Sequence, residues 1–397
     1  MIEIKNNVDC CGCSACFNIC PKSCISMQPD SEGFLYPHVD TEKCIDCHLC
    51  EKVCPVKNKI NVSDFERKGC VLRAKELSVV KDSTSGGFFT PLSQWLIKNN
   101  GIICAAAYDE NFNVRHQFIF PENGSDDSVF EKFRGSKYVQ SEMGKCYRQI
   151  KNYLEKDRTV CFVGTTCQVN GLKGFLRKDY PNLYTVDLVC HGTPSPKLWR
   201  KYLDYQTEKN KDTIRKISFR SKKYGYHNAL MEIQFTKGKT YAASARVDYM
   251  LKSFFNEIAS RPICYQCPFK TMERCSDLTV YDCWHITALV EKIKDDDNGF
   301  TNVIIQSEKG KKMLDSLQKN AEIYPTDVFK AVDTDGIMVK QCADPHHSRA
   351  EFYKELDKHS LKEHIDLYLP VRLHDYILEG IKKILYRFGL MKLFKNK

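Results

Sequence analysis

The sequence predicts an α+β protein in two unequal parts, a small cysteine-dense module over 1–60 and a larger α/β domain with a partly parallel sheet. Three observations carry this prediction. Ten of the 21 cysteines fall before Val56. Two apolar runs flank a helical stretch between 158 and 189, an order that demands neighbouring parallel strands joined by a crossover helix. Residues 213–243 alternate instead, as antiparallel strands with turns do.

At 397 residues the chain exceeds a bare cysteine module and suffices for roughly two to three domains. Its 42% hydrophobic and 28% charged residues suit a globular protein. No run of about eighteen apolar residues suggests a membrane span. The first residues lack the apolar centre of a secretory signal, so a cytoplasmic location is expected. In a secreted chain such a cysteine density would mean disulfides, which usually staple small domains lacking a core. A long chain with an odd number of cysteines points instead to thiolate ligands.

Within 1–60, broken by Pro21, Pro29, Pro37 and Pro55, one spacing occurs twice. Cys10, Cys13, Cys16 and Cys20 before Pro21 read C-x2-C-x2-C-x3-C-P, and Cys44, Cys47, Cys50 and Cys54 before Pro55 repeat it. Two-residue spacers let three thiolates wrap three irons of one cubane, while the fourth cysteine, stopped by proline, serves the other cluster. The first 4Fe-4S cluster is therefore assigned Cys10, Cys13, Cys16 and Cys54, and the second Cys44, Cys47, Cys50 and Cys20. Zinc favours two separated C-x2-C pairs and fits this octet poorly. Cys11 competes with Cys10 for the first ligand position, and Cys24 falls where a small apolar filler would pack beneath a cluster. This is a ferredoxin module, and it passes single electrons. Two-electron organic chemistry must come from the other residues.

Residues 57–70 read as a polar linker, 86–99 as a helix and 102–108 as a strand. Next come a strand at 158–164, a helix at 168–177 and a strand at 184–189, then a strand at 303–306 and a helix at 309–320. The small residues 83–87 leave backbone N–H groups free for an anion at a helix start, although such caps are common on any helix. Cys167 and Cys190 each lie just past a strand, so a parallel sheet brings them side by side at its carboxyl edge, where ligands bind. Cys264 and Cys267 add a C-x2-C pair, completing four thiolates for one metal centre. No G-x-G-x-x-G follows a strand and no Walker A sequence exists, which argues against nicotinamide or nucleoside-triphosphate chemistry. H-E-x-x-H and the C-x3-C-x2-C loop of radical-SAM enzymes are absent too.

The ferredoxin pair is followed in order by 83–87 (STSGG), 135–141 (GSKYVQS), 164–168 (GTTCQ), 190–194 (CHGTP), 261–269 (RPICYQCPF), 276–284 (SDLTVYDCW), 296–299 (DDNG) and 307–310 (SEKG). This ordered set resembles the coenzyme F420 hydrogenase/dehydrogenase beta-subunit family, in its bacterial form with a fused ferredoxin domain, over nearly the whole chain to about residue 360. The resemblance implies an α/β flavin-binding domain. It implies FAD contacted by Ser85, Gly86, Gly87, Lys137 and Tyr138, and a third 4Fe-4S cluster on Cys167, Cys190, Cys264 and Cys267. It further implies hydride exchange with an organic substrate, a deazaflavin in archaeal relatives and a chlorophyll derivative in plant ones. Thr166 stands where the family usually has proline, and Tyr281 and Cys283 replace the glycine and phenylalanine of Gly-Asp-Phe-Trp. Cys275 and Cys283 stay open as alternative ligands.

For proton delivery His191 and Asp282 are the leading candidates, with His285 and Asp187 behind them. His191 comes first because it would sit at the sheet edge near the flavin. The formal charge of +10 falls to about +4 once three clusters at about −2 each are counted. No basic patch interleaves with aromatics, so no nucleic-acid partner is expected. A ferredoxin or similar donor, a small-molecule substrate and an oligomer are the expected partners. The domains are expected at 1–60, 61–345 (FAD and Fe-S binding) and 346–397. The last carries a basic amphipathic tail, Ile381, Leu385, Phe388, Leu390 and Phe394 among Lys382, Lys383, Arg387, Lys392 and Lys395. That tail could pack on the protein's own body or a partner, or touch an anionic membrane. The expected function is an iron–sulfur flavoprotein oxidoreductase; the alternative is a non-catalytic electron-relay component of a larger complex.

Overall fold

A computed structural model describes residues 1–124, 127–228 and 230–391. The amino-terminal module pairs two antiparallel strands, β1 (Ile25–Pro29) and β2 (Leu35–Val39), with two short helices, Ala15–Ile19 and Leu49–Lys52. Ser14 and His48 precede these helices at φ of 63° and 58°. Each stands directly after the second cysteine of its motif, so the repeated spacing folds into a repeated left-handed turn that non-glycine residues rarely adopt.

The body begins with β3 (Lys68–Ala74), β4 (Ile102–Tyr108), β5 (Val114–Ile119), β6 (Val160–Thr165) and β7 (Leu183–Leu188). A separate antiparallel sheet, ordered β10-β9-β8, is made by β8 (Ile214–Ser218), β9 (Leu230–Phe235) and β10 (Thr240–Ser244). Then β11 (Leu278–Cys283), β12 (Phe300–Ile305) and β13 (Ala321–Thr326) return to the body. Its eight strands run in the order β13-β3-β12-β11-β7-β6-β4-β5. The four central strands β11, β7, β6 and β4 are parallel, and both flanks are antiparallel. The predicted α+β class with a partly parallel sheet is therefore present.

The β-α-β unit lies within two residues of its prediction at each end, with the helix at Thr166–Leu176. Two predictions need correcting. The helix expected at 86–99 starts only at Phe89, because Gly86 is used by the sheet. Its N–H donates to Thr301 Oγ1 (2.9 Å), its carbonyl accepts from Ala74 N–H (2.7 Å), and a Cβ there would lie 2.4 Å from the Leu72 carbonyl oxygen. The linker expected over 57–70 ends sooner, since β3 starts at Lys68 and pairs with both β12 and β13.

Packing joins the parts. Phe352, Leu356, Leu361 and Ile365, from the helices Arg349–Glu355 and Leu361–Tyr368 and the turn between them, share one core cluster with Trp199, Phe219 and Phe235. Among the described residues no helix is long and apolar enough to cross a membrane. Of the basic tail, Lys392, Phe394 and Lys395 lie outside the described residues.

Candidate functional site

Cys20, Cys44, Cys47 and Cys50, assigned to one cluster, line a single cavity closed by Ile25 and Val39. Cys24 lines it as well, its sulfur 3.3 Å from that of Cys20. Backbone N–H groups point at the sulfurs: Ile2 donates to Cys50 (3.2 Å), Asp46 to Cys44 (3.4 Å) and Gly12 to Cys10 (3.4 Å). Such donors favour the thiolate form that iron requires. The other assigned set is also brought together. Burial, then the neighbouring Cys10 and Cys54, raise the Cys16 thiol, and Cys16 and Cys10 both act on Cys13. Among the described residues no three His, Cys, Asp or Glu side chains converge as ligands of one metal ion. The sulfurs surround spaces, an arrangement that suits polynuclear clusters better than a single ion.

The second pair of strand ends builds the further thiol set. β6 and β7 are parallel neighbours, so Cys167, in the first turn after β6, and Cys190, two residues past β7, emerge together. The segment after Cys190 then pairs with the one carrying the C-x2-C motif. Pro194 bridges Ser260, and Arg261 N–H donates to the Thr193 carbonyl (3.0 Å). This apposition delivers Cys264 and Cys267 to the same place. Burial pushes the Cys190 thiol up to about 11 and the Cys267 thiol to about 12, with Cys167 reinforcing both. Buried thiolates here need an offsetting cation, which bound iron supplies. Cys283 lies apart, in a cluster with Val71, Ile286 and Phe300, and Cys275 packs beside the core under the ferredoxin module.

Two cysteines gain a role that spacing did not suggest. Cys342 accepts a hydrogen bond from the Cys267 N–H (3.1 Å), and the Cys11 thiol hydrogen-bonds with both Cys13 and Cys167. Cys11 thus bridges the first ferredoxin set and the strand-end set.

Arg261 fastens the same junction. Its side chain is completely buried, donates to the carbonyls of Cys10 (2.8 Å) and Leu35 (3.1 Å) and to Gln140 Oε1 (3.1 Å), and stacks 3.9 Å over the Tyr36 ring. Burial raises the Cys10 thiol, and a Cys11 hydrogen bond raises Cys167; in each case the Arg261 guanidinium pulls the thiol back down. Glycines close the interface nearby. A Cβ on Gly171 would lie 2.9 Å from the Cys13 sulfur, and one on Gly174 would lie 2.6 Å from the Val53 carbonyl oxygen.

On the other side of the sheet edge lies a cavity of about 1260 Å³ whose wall includes Ser83, Thr84, Gly135, Ser136, Arg220 and Lys222. The predicted FAD contacts Ser85, Gly86, Gly87, Lys137 and Tyr138 directly follow these wall residues in sequence. Ser85 donates to the Phe300 carbonyl, and Lys137 donates to the carbonyls of Phe133, Arg134 and Gly135 at 3.1–3.2 Å. Burial lowers the Lys137 ammonium to about 7. Tyr138 stacks on Phe254 (4.5 Å) and accepts from Arg220 (3.2 Å). The second Arg220 terminal nitrogen is buried without a hydrogen-bond partner. A cationic, oversized cavity with an unsatisfied guanidinium nitrogen fits a large phosphate-bearing group such as FAD.

His191 and Asp282 do not meet directly. His191 pairs with Glu257 and packs edge-on against Phe254 (5.1 Å), whereas Asp282 accepts from Arg220 (3.0 Å) and Tyr226 (3.2 Å). Phe254, Tyr138 and Arg220 form the contact chain between them. Asp187 is held in a buried ion pair with Arg274 (3.1 Å), and His285 pairs with Asp335 (2.6 Å).

Residues 157–329 match the family described as the C terminus of the coenzyme F420 hydrogenase/dehydrogenase beta chain, and residues 9–58 match the 4Fe-4S dicluster domain. No curated protein matches the chain. Among solved structures, a chain of the F420-reducing [NiFe] hydrogenase complex from Methanosarcina barkeri aligns over 75% of this chain and 94% of its own, at 16% identity and a TM-score of 0.44.

Proposed function

For a chain that belongs to the coenzyme F420 hydrogenase/dehydrogenase beta-subunit family and carries its own 4Fe-4S dicluster domain, we propose an FAD-dependent oxidoreductase acting on a small organic substrate, with a ferredoxin-like protein as electron donor. Cys10, Cys13, Cys16 and Cys54 would hold one cluster, Cys44, Cys47, Cys50 and Cys20 the second, and Cys167, Cys190, Cys264 and Cys267 a third. Ser85, Gly86, Gly87, Lys137 and Tyr138, with Arg220 and the wall of the basic cavity, would hold FAD. When bound, FAD supplies the exchange between single electrons and a hydride. His191, paired with Glu257, would keep a proton at Nε2 beside the thiol edge, and Asp282 would orient Arg220 toward the cavity. The substrate class is a deazaflavin or another metabolite that accepts a hydride.

One observation carries this reading: four thiols from two strand ends and a C-x2-C loop gather beside the ferredoxin module and across from the cationic cavity. Anaerobic purification with iron, sulfide and flavin quantified together tests it. About twelve irons and one FAD per chain are expected. Eight irons would remove the third cluster, and protein free of FAD would remove hydride chemistry.

A further inference from the structure

The last described helix, Leu373–Arg387, is mounted with its polar side inward. Asp375 and Glu379 are buried. Glu379 accepts from the Ser244 N–H (3.1 Å) and hydroxyl (2.6 Å), and Lys382 donates to Asn228 (3.2 Å). Tyr386 leans on Tyr224 with ring centroids 5.1 Å apart. These attachments fix the helix and turn its apolar side to solvent. Leu373, Ile377, Ile381, Ile384 and Phe388 form one stripe at helical spacing, each 40–76% exposed. The charged residues exposed around this stripe are Arg372, Lys383 and Arg387; both acids of the helix face the protein. In the sequence Lys392, Lys395 and Lys397 extend the basic run.

We propose that this helix docks the protein on an anionic membrane surface, lying in the plane with its stripe at the acyl boundary and its cations among the headgroups. A continuous apolar stripe of this size marks a contact surface, unlike apolar residues scattered singly. Its rim has a single sign, so its complement is negatively charged above and apolar beneath, which describes an anionic bilayer. A second copy of the chain is a poor complement, because a two-fold stripe-to-stripe contact would set Lys383 and Arg387 against their own equivalents. Apolar burial and basic charge together meet the two-signal requirement for stable peripheral binding.

Vesicle co-sedimentation of the anaerobically purified full-length protein tests this. The lipids are phosphatidylcholine alone and phosphatidylcholine mixed with phosphatidylglycerol. Binding to the mixed vesicles only is expected, weakening as salt rises. Ile377→Ser with Ile384→Ser should abolish binding while the visible absorption and thermal midpoint stay unchanged, since both side chains face solvent. Lys383→Gln with Arg387→Gln should weaken binding by roughly fivefold per cation. Equal binding to neutral vesicles, or undiminished binding of the double serine variant, would overturn the proposal. So would failure to bind any vesicle, including the case where the wild type forms a dimer that the serine variant dissociates.

Discussion

Arg261 carries a permanent charge with no solvent contact, and among the described residues no carboxylate forms an ion pair with it. An isolated buried cation costs several kcal/mol unless an opposite charge stands near. On the proposed function the counter-charge is the pair of anionic clusters on either side, one held by the Cys10 set and one by the Cys167 set. Arg261→Gln should lower the reduction potentials of both, because each gains negative charge on reduction. The effect is on the order of 2 kcal/mol at an effective dielectric of about 20. The cluster of Cys44, Cys47 and Cys50 should keep its potential, and Arg261→Lys should give a smaller change. A redox titration followed by electron paramagnetic resonance reads all three. Equal shifts in all clusters would mean general loosening. A second residue predicts pH dependence. Burial pushes Asp248, which accepts from Tyr202, Tyr241 and the Leu251 N–H, up to about 6. A carboxyl raised in the folded state contributes stability that is full below the unfolded value near 4 and lost as pH rises through about 6. Between pH 4 and 7 the wild type should therefore lose on the order of 3 kcal/mol that Asp248→Asn does not lose, as compared by urea unfolding of the two proteins. The ferredoxin cysteines were legible because cluster ligation is written in local spacing. Arg261 was not, since its partners Cys10 and Leu35 lie 251 and 226 positions away.

Among elements, the helix Thr166–Leu176 does two jobs. It opens with Cys167, capped by the reciprocal Thr165–Gln168 box, and its glycines admit the ferredoxin module. Gly171→Val would place carbon where the Cys13 sulfur and the Tyr147 hydroxyl already stand. It should destabilise the protein by about 1–3 kcal/mol. Calorimetry should show a lower midpoint, and iron from the amino-terminal set should be lost first to a chelator. The β-α-β unit could be read in advance because each strand is a short, mainly apolar run and the helix lies between them. β3 and β13 could not. β3 opens on Lys68 inside a polar stretch, and β13 presents mostly half-exposed residues, including Pro325, at a sheet edge. Gly86 misled the helix prediction for a related reason. Its neighbours have helical periodicity, but its backbone is committed to Thr301, a residue 215 positions further on.

At the scale of the whole molecule, the thiol sets form a row from the amino-terminal module to the carboxyl edge of the sheet, and the cationic cavity lies beyond. That ordering is a property of topology. Parallel β6 and β7 supply one pair of thiols, the 260–267 loop supplies the other, and the module covers both. The placement of the predicted FAD residues just behind the cavity wall follows from the same topology, which no local pattern encodes. The contact of Cys13 with Gly171 has a further consequence. Gly171 lies one turn, about 6 Å along the axis, from Cys167. The insulating gap between the module and the sheet edge is therefore gauged by a single coil of hydrogen-bonded backbone. Conduction across it would be tunnelling through a spacer of constant width, with no swinging arm, and thickening the solvent with glycerol should leave its rate unaltered.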